Sequence, residues 1–257
     1  MLALAGGGQL SDQRSVAFVN VTVIDVIEGR ALPQMDVLMR GDAITLVAPY
    51  TAKRIASGVR VVDGTDKFLM PGLWDMHVHW SDSEYLPLFI ANGVTGIRQM
   101  SGMPIQHEWE TRLESGSIIG PRQQIGSAII DGPKPVWPGS VAVSTPDDAI
   151  RAVQNAKRGG AAFIKTYSLL SRDVYTAIAR EAPVQHLPLV GHVPYAVSLV
   201  EASGLGHRTV EHLTGMLLAA STREEEFRRA LTAALASAKP VLSQQRSCHP
   251  MRHDSSS

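Results

Sequence analysis

Between residues 16 and 70 apolar and polar positions alternate. Val19, Val21 and Val23 are separated by Asn20 and Thr22, a period of two that reads as a strand. Glu28-Gly29-Arg30 reads as a turn, Asp36 to Arg40 as a second strand, Gly41-Asp42 as a turn, Ala43 to Ala48 as a third strand and Val59 to Val62 as a fourth. Short strands divided by turn residues predict a small β domain over 16–70, a sheet or a sandwich. Residues 1–15 lack this pattern and are expected to be disordered.

From residue 72 the pattern becomes strand, helix, strand, helix. Leu73–His79, Val94–Met100, Arg122–Ile130, Ala161–Tyr167, Leu187–His192 and Arg208–His212 read as six strands. Helices are predicted over Glu84–Asn92, around Ile105–Glu114, from Thr145 to Lys157, from Ser171 to Arg180, up to Ala202, and over Thr222–Ala238. The clearest start is Thr145-Pro146-Asp147-Asp148, with an N-cap, a proline in the first turn and acids at the positive end of the helix dipole. The triplet Glu224-Glu225-Glu226 and the pair Arg228-Arg229 read as a solvated face.

Regular alternation implies parallel strands with right-handed crossovers. The predicted fold class is α/β: an incomplete TIM-like barrel of about six of eight units over residues 71–238, preceded by a small β-sandwich-type domain. A doubly wound open sheet is the competing architecture. No Gly-x-Gly-x-x-Gly follows a strand, which weakens its nucleotide-binding form.

Composition narrows the partners. The 257 residues carry 24 basic and 24 acidic side chains, and 44% are hydrophobic. Charge balance argues against nucleic acid or an anionic membrane surface as the main partner. A single cysteine, Cys248, excludes a disulfide framework and fits a reducing compartment. No apolar run approaches the roughly 20 residues that cross a bilayer, and Met1-Leu2-Ala3-Leu4-Ala5 lacks the basic start of a secretory signal. A cytoplasmic location is expected.

The candidate chemistry sits at strand ends. His77-Val78-His79 follows Phe68-Leu69-Met70-Pro71-Gly72-Leu73-Trp74-Asp75-Met76, and imidazoles at i and i+2 on a strand share one side. Lys165 ends the apolar stretch of the fourth strand, and His192 and His212 end the fifth and sixth. In a parallel barrel these ends lie on one face, and nitrogen ligands of this kind suit zinc and its neighbours. Each has a plain alternative: Lys165 as a lysine reaching solvent along its stem, His192 and His212 as loop residues. His107, His186 and His207 do not fall at strand tips and are read as packing residues. Cys248, His249 and His253 resemble a metal motif, but within a polar tail that gives it no structural context.

Leu69 to His79 resembles the first-strand motif of the amidohydrolase superfamily. Phe163-Ile164-Lys165, Val190-Gly191-His192-Val193 and Val210-Glu211-His212-Leu213 resemble its fourth-, fifth- and sixth-strand motifs, in order. Asn92 to Arg98 resembles its second strand, with Gln99 where many members have aspartate. The nearest pattern is the imidazolonepropionase-like and Xaa-Pro dipeptidase-like subgroup, and the likeness covers roughly residues 16 to 238.

This resemblance implies a metal-dependent hydrolase that cleaves carbon–nitrogen bonds of an amide, dipeptide or cyclic amide through a metal-bound hydroxide. It implies two divalent metals, zinc by the ligand types, held by His77 and His79 and by His192 and His212. Lys165, carboxylated by CO₂, would bridge them. Tyr167 and Tyr195, each just past an expected ligand, and Trp137 in the loop Asp131–Gly139 are candidate substrate contacts. The partner expected is a small amide or dipeptide, with no nucleic acid or membrane, and with a homo-oligomer or domain exchange as a further expectation.

The family pattern also requires an aspartate after an eighth strand. No further βα unit is legible after Lys239, and Asp254 lies in the tail Arg252-His253-Asp254-Ser255-Ser256-Ser257. Residues 239–257 therefore read as a disordered, out-of-frame or truncated end. A relative that keeps the metal ligands but does not turn over is one alternative function. A non-enzymatic α/β module that binds partners through open sheet edges is the other, and it would lead if the four histidines did not converge.

Overall fold

In a computed structural model, residues 15–51 and 55–237 are described. The chain divides into two compact units, Met1–Leu73 and Trp74–Ser257.

The first unit is a five-stranded sheet of β1 (Ser15–Asp25), β2 (Arg30–Arg40), β3 (Ala43–Pro49), β4 (Arg60–Asp63) and β5 (Phe68–Leu69). The order is β3-β2-β1-β4, with β5 also on β1. β1 and β2 pair antiparallel, as do β2 and β3, whereas β4 and β5 run parallel to β1. The described residues form one sheet and not the two facing sheets that a sandwich needs. The period of two also breaks within β1. Asn20 takes a left-handed φ of 55°, the register shifts on either side of Val21, and the Asn20 N–H donates to Asp36 Oδ1 at 3.1 Å. Val21 is fully buried while Val19 and Val23 are half-buried, because the irregularity rotates them off a common face.

The second unit alternates as expected: β6 (Leu73–Val78, beginning at the boundary), α1 (Leu86–Ala91), β7 (Val94–Gln99), α2 (Pro104–Glu114), β8 (Arg122–Ile125), β9 (Ile130–Asp131), β10 (Val141–Ala142), α3 (Pro146–Arg158), β11 (Ile164–Thr166), α4 (Arg172–Val184), β12 (Leu189–Gly191), α5 (Leu199–Gly204), β13 (His207–Val210), α6 (Met216–Ala219) and α7 (Glu224–Ser237). Two sheets carry it, β6-β7-β8 and β10-β9-β11-β12-β13. β7–β8, β9–β10, β9–β11, β11–β12 and β12–β13 all pair parallel. Backbone hydrogen bonds Ala162 N–H to Ile125 O (2.8 Å) and Ser127 N–H to Phe163 O (2.9 Å) join the two. The strands β6, β7, β8, β11, β12 and β13 thus follow one another as an arc. It curls until His77 on β6 and Glu211, just past β13, meet at 2.6 Å. Among the described residues no backbone ladder joins β13 to β6.

The single strand expected over Arg122–Ile130 is two strands flanking one neighbour. At the break the Ser127 hydroxyl accepts the Lys165 N–H at 3.0 Å, replacing the ladder carbonyl. The sixth strand stops at Val210, and Glu211–Leu213 is a 3₁₀ turn with His212 at φ 56°. The first helix begins as a 3₁₀ turn, Ser83–Tyr85, capped by Asp82, before α1. The fourth runs past Arg180 to Val184.

The outer layer explains why the helices dock. In α4, Val174, Tyr175, Ile178, Ala179 and Ala182 are buried, the i, i+1, i+4, i+5, i+8 stripe of an amphipathic helix. They join Ile164 and Leu189 from the sheet and Ala149 and Val153 from α3 in the main core. Each large apolar side chain contributes roughly 1.5–3 kcal/mol on burial. A second cluster (Val78, Trp80, Leu86, Ile97) holds α1 against β6 and β7. No helix among the described residues is long and apolar enough to cross a membrane.

Candidate functional site

The carboxyl ends of the parallel strands bring four imidazoles together within the second unit. The His77 and His79 rings lie 5.1 Å apart by centroid, His77 and His212 4.4 Å, and His192 and His212 5.3 Å. His77 Nε2 and His79 Nε2 are 3.1 Å apart. Two nitrogens on one tetrahedral zinc, each about 2.0–2.1 Å from it, would sit about 3.3 Å apart. Among the described residues no group of three or more His, Cys, Asp or Glu side chains has the spacing of a preformed metal cage.

Each ring is steered by a neighbour that the sequence pattern did not identify. Glu211 accepts from His77 Nδ1 at 2.6 Å and from the Thr209 hydroxyl at 2.7 Å. A carboxylate there fixes the proton on Nδ1 and leaves the His77 Nε2 lone pair facing His79. His79 Nδ1 shares a hydrogen bond with Ser101 Oγ at 2.9 Å, and His192 Nδ1 one with Ser168 Oγ at 2.8 Å. His192 Nε2 is buried with no hydrogen-bond partner, and such an orphan calls for an explanation. An open lone pair on His77, a second imidazole beside it and an orphaned nitrogen on His192 fit a cation ligand set. His212 is exposed and holds its left-handed backbone one residue after Glu211. That conformation is costly for a non-glycine residue and tends to mark functional sites.

Lys165 sits beneath these rings, 1% exposed. Burial lowers its pKa to about 8, with Glu211 opposing and the Arg98 charge adding to the drop. Burial, followed by the Lys165 charge, takes His192 down to about 4. His77 and His79 are lowered too, burial being the largest cause for each. Burial alone would raise Glu211, but the hydrogen bonds from His77 and Thr209 outweigh it and leave it lowered. At pH 7 His77, His79 and His192 are therefore neutral beside an ionised Glu211. Arg98 completes the floor, its guanidinium 3.6 Å from Glu211 and 5.0 Å over the Phe163 ring.

Gly191 places His192. Its φ is 121°, and a Cβ there would stand 2.4 Å from the Thr166 carbonyl oxygen, so only glycine lets β12 approach β11 this closely. Gln99, where an acidic residue is common in the resembled motif, is fully buried, and its amide donates to the Trp80 carbonyl at 2.8 Å. Gln106 donates to the same oxygen at 2.8 Å. Together they pin the backbone that leaves His79.

Tyr167 stacks on His192 at 4.1 Å, and the Trp137 indole donates to the Tyr167 hydroxyl at 2.6 Å. Both expected contacts thus border the cluster. No ring contact joins Tyr195 to the histidines. Its carbonyl accepts from Arg228 at 3.0 Å, and Arg228 also donates to Val197 O at 2.5 Å. This arginine, expected on a solvated face, anchors the loop after β12. The remaining histidines stay apart. His107 lies 3.4 Å from Glu110, beside a cavity of about 400 Å³ behind the rim. His186 lies two residues past α4, with φ 56°. His207 bridges the Tyr175 hydroxyl (3.0 Å) and the Gly191 carbonyl (3.2 Å). Cys248, His249, His253 and Asp254 lie outside the described residues.

The signal for Glu211 was in the chain: a carboxylate one residue before an expected ligand at a strand end. Ser101 and Ser168 carried no distinguishing pattern.

No family model matches the chain. It is 36% identical over 90 residues to a dihydroorotase of Carboxydothermus hydrogenoformans, covering 32% of this chain and 20% of that protein. It is 29% identical over 87 residues to an adenine deaminase of Rubrobacter xylanophilus, covering 34% of this chain and 14% of that one. A solved bottromycin amidohydrolase superposes with a TM-score of 0.69 at 28% identity, over 87% of this chain and 49% of that structure. The matched part thus spans about half of the solved relative and a fifth or less of the two curated ones.

Proposed function

We propose, for a chain that belongs to the amidohydrolase superfamily, that its rim of strand ends is a divalent-metal site serving hydrolysis of carbon–nitrogen bonds. The observation that carries this is the convergence of His77, His79, His192 and His212 over a buried Lys165. His77 and His79 would hold one ion, zinc by the donor types, and His192 and His212 a second, with Lys165 between. A bound divalent cation supplies Lewis acidity and makes an attacking water acidic near neutral pH.

The chain's own residues do the rest. Glu211 holds the His77 proton on Nδ1. Ser101 and Ser168 orient His79 and His192. Lys165, with a pKa near 8, has about 9% free amine at pH 7, against about 0.03% for an unshifted lysine. Its lone pair can add to the carbon of CO₂, with one proton passing to water. The resulting carbamate shares one negative charge over two oxygens, which suits a pair of cations.

A specific observation favours a second reading, metal binding without turnover. Glu211 is the carboxylate hydrogen-bonded to a ring of the cluster, and it is committed to His77 and Thr209. Asp75 accepts the His77 backbone N–H at 3.1 Å, and among the described residues no other carboxylate is hydrogen-bonded to the four rings.

Zinc analysis tests the metal. The purified protein is expected to hold about one to two equivalents, reduced in His77→Ala; less than about one, with no loss on that substitution, rejects the proposal. Hydrolysis of any member of an amide and dipeptide panel by the zinc-loaded chain, lost in His77→Ala, decides for turnover over the second reading.

A further inference from the structure

The loop from Asp131 to Ser140 and the segment after β11 are tied to each other by one residue. Asp131 is fully buried. Its Oδ1 accepts the Leu169 N–H at 2.8 Å, and its Oδ2 accepts the Val136 N–H at 3.3 Å. A buried carboxylate shared between two backbone segments fixes their separation, because releasing either amide leaves polar atoms unpaired away from water. Trp137 follows Val136, and Tyr167 lies two residues before Leu169. The staple therefore sets the indole against the phenol.

The chemistry of that contact has a direction. An indole N–H only donates, so the Tyr167 oxygen is the acceptor in the 2.6 Å bond. The phenolic proton must then leave along another direction. Among the described residues it has no acceptor within hydrogen-bond reach. The Tyr167 ring is also held, stacked at 4.1 Å on His192. Its hydroxyl is thus a single donor, fixed at both ends of the ring and standing over the histidine cluster.

We propose that Trp137 is a positioning residue: it turns the Tyr167 hydroxyl proton toward an acceptor oxygen, carbonyl or carboxylate, of a ligand bound at the histidine cluster. Asp131 keeps the two side chains in register. This rests on the metal reading above and extends it to how the ligand is oriented. A preset donor needs no reorganisation on binding and enters the complex with less entropy to lose.

The test is a double-mutant cycle on the zinc-loaded protein, with acetohydroxamate as the carbonyl probe and acetate as the carboxylate probe, both by calorimetry. Trp137→Phe keeps an aromatic ring at a position that is 55% exposed, and Tyr167→Phe removes only the hydroxyl. Tyr167→Phe is expected to weaken one or both probes about 5- to 10-fold, the worth of one hydrogen bond. Trp137→Phe is expected to weaken the same probe several-fold in the wild-type background and to have no effect once Tyr167 is Phe. Zinc content and melting temperature should match the wild type in all four proteins. An equal Trp137→Phe effect in both backgrounds, or no effect of Tyr167→Phe on either probe, overturns the proposal while leaving the metal site standing. Absence of zinc from the wild-type protein overturns the metal reading itself, and this inference with it.

Discussion

At the scale of single residues, the proposed metal site rests on which nitrogen of each imidazole carries a proton. Glu211 decides this for His77, because an ionised carboxylate can only accept, so the proton stands on Nδ1. Partners of this kind tune ligand affinity about 10- to 100-fold. Glu211→Gln should therefore bind zinc at least about 10-fold more weakly in a chelator-competition titration, with the fold intact by circular dichroism. An unchanged affinity would mean that His77 is not a ligand. His207 shows the same logic outside the cluster. The Gly191 carbonyl can only accept, so His207 Nε2 carries the proton and Nδ1 accepts from the Tyr175 hydroxyl. The convergence of four histidines was legible from their places at strand ends. His207 was legible as a packing residue for the complementary reason, that it does not fall at a strand tip.

At the scale of elements, the helices were readable because their ends carry local signals. Thr145 and Asp148 form a reciprocal cap: the Asp148 N–H donates to Thr145 Oγ1 at 3.1 Å and the Thr145 N–H to Asp148 Oδ2 at 3.0 Å. Loss of such a cap costs about 1 kcal/mol, so Thr145→Ala should lower the unfolding free energy by that much, read as a lower urea midpoint with an unchanged slope. The Pro146–Arg158 helix followed from the sequence almost to the residue. The strands did not behave as well. Arg122–Ile130 reads as one run, yet Ser127 diverts its hydroxyl to the Lys165 amide and splits it. Asn20 likewise breaks β1, since the Asp36 carboxylate that holds its N–H arrives from another strand. Ladder defects depend on a partner strand, which a local window does not contain.

At the scale of the whole second unit, burial sets the response to pH. Burial is the largest cause of the lowered pKa of His207. A histidine whose pKa falls on folding binds its proton more readily in the unfolded chain, so acid favours unfolding. The stability tied to His207 is intact above the ordinary value of 6.5 and is lost as pH falls below it toward the lowered folded value. Melting temperature should fall more steeply below about pH 6.5 than between pH 8 and 7. His207→Gln, which keeps a donor and an acceptor, should decline less steeply. A melting temperature that rises on acidification would contradict the buried neutral imidazole.

The sequence by itself determined the order of strands and helices, the caps, the residues at strand tips and the family they resemble. These are written in periodicity and in local hydrogen-bonding chemistry, which act over a few residues. The tertiary structure alone decided that the strand arc curls far enough for His77 and Glu211, 134 positions apart, to share a proton. It also decided that the β domain is one sheet among its described residues, that Arg228 anchors a loop, and that Asp131 ties Val136 to Leu169. Each of these depends on a contact between segments distant along the chain, where curvature and packing, and not local propensity, fix which side chains meet.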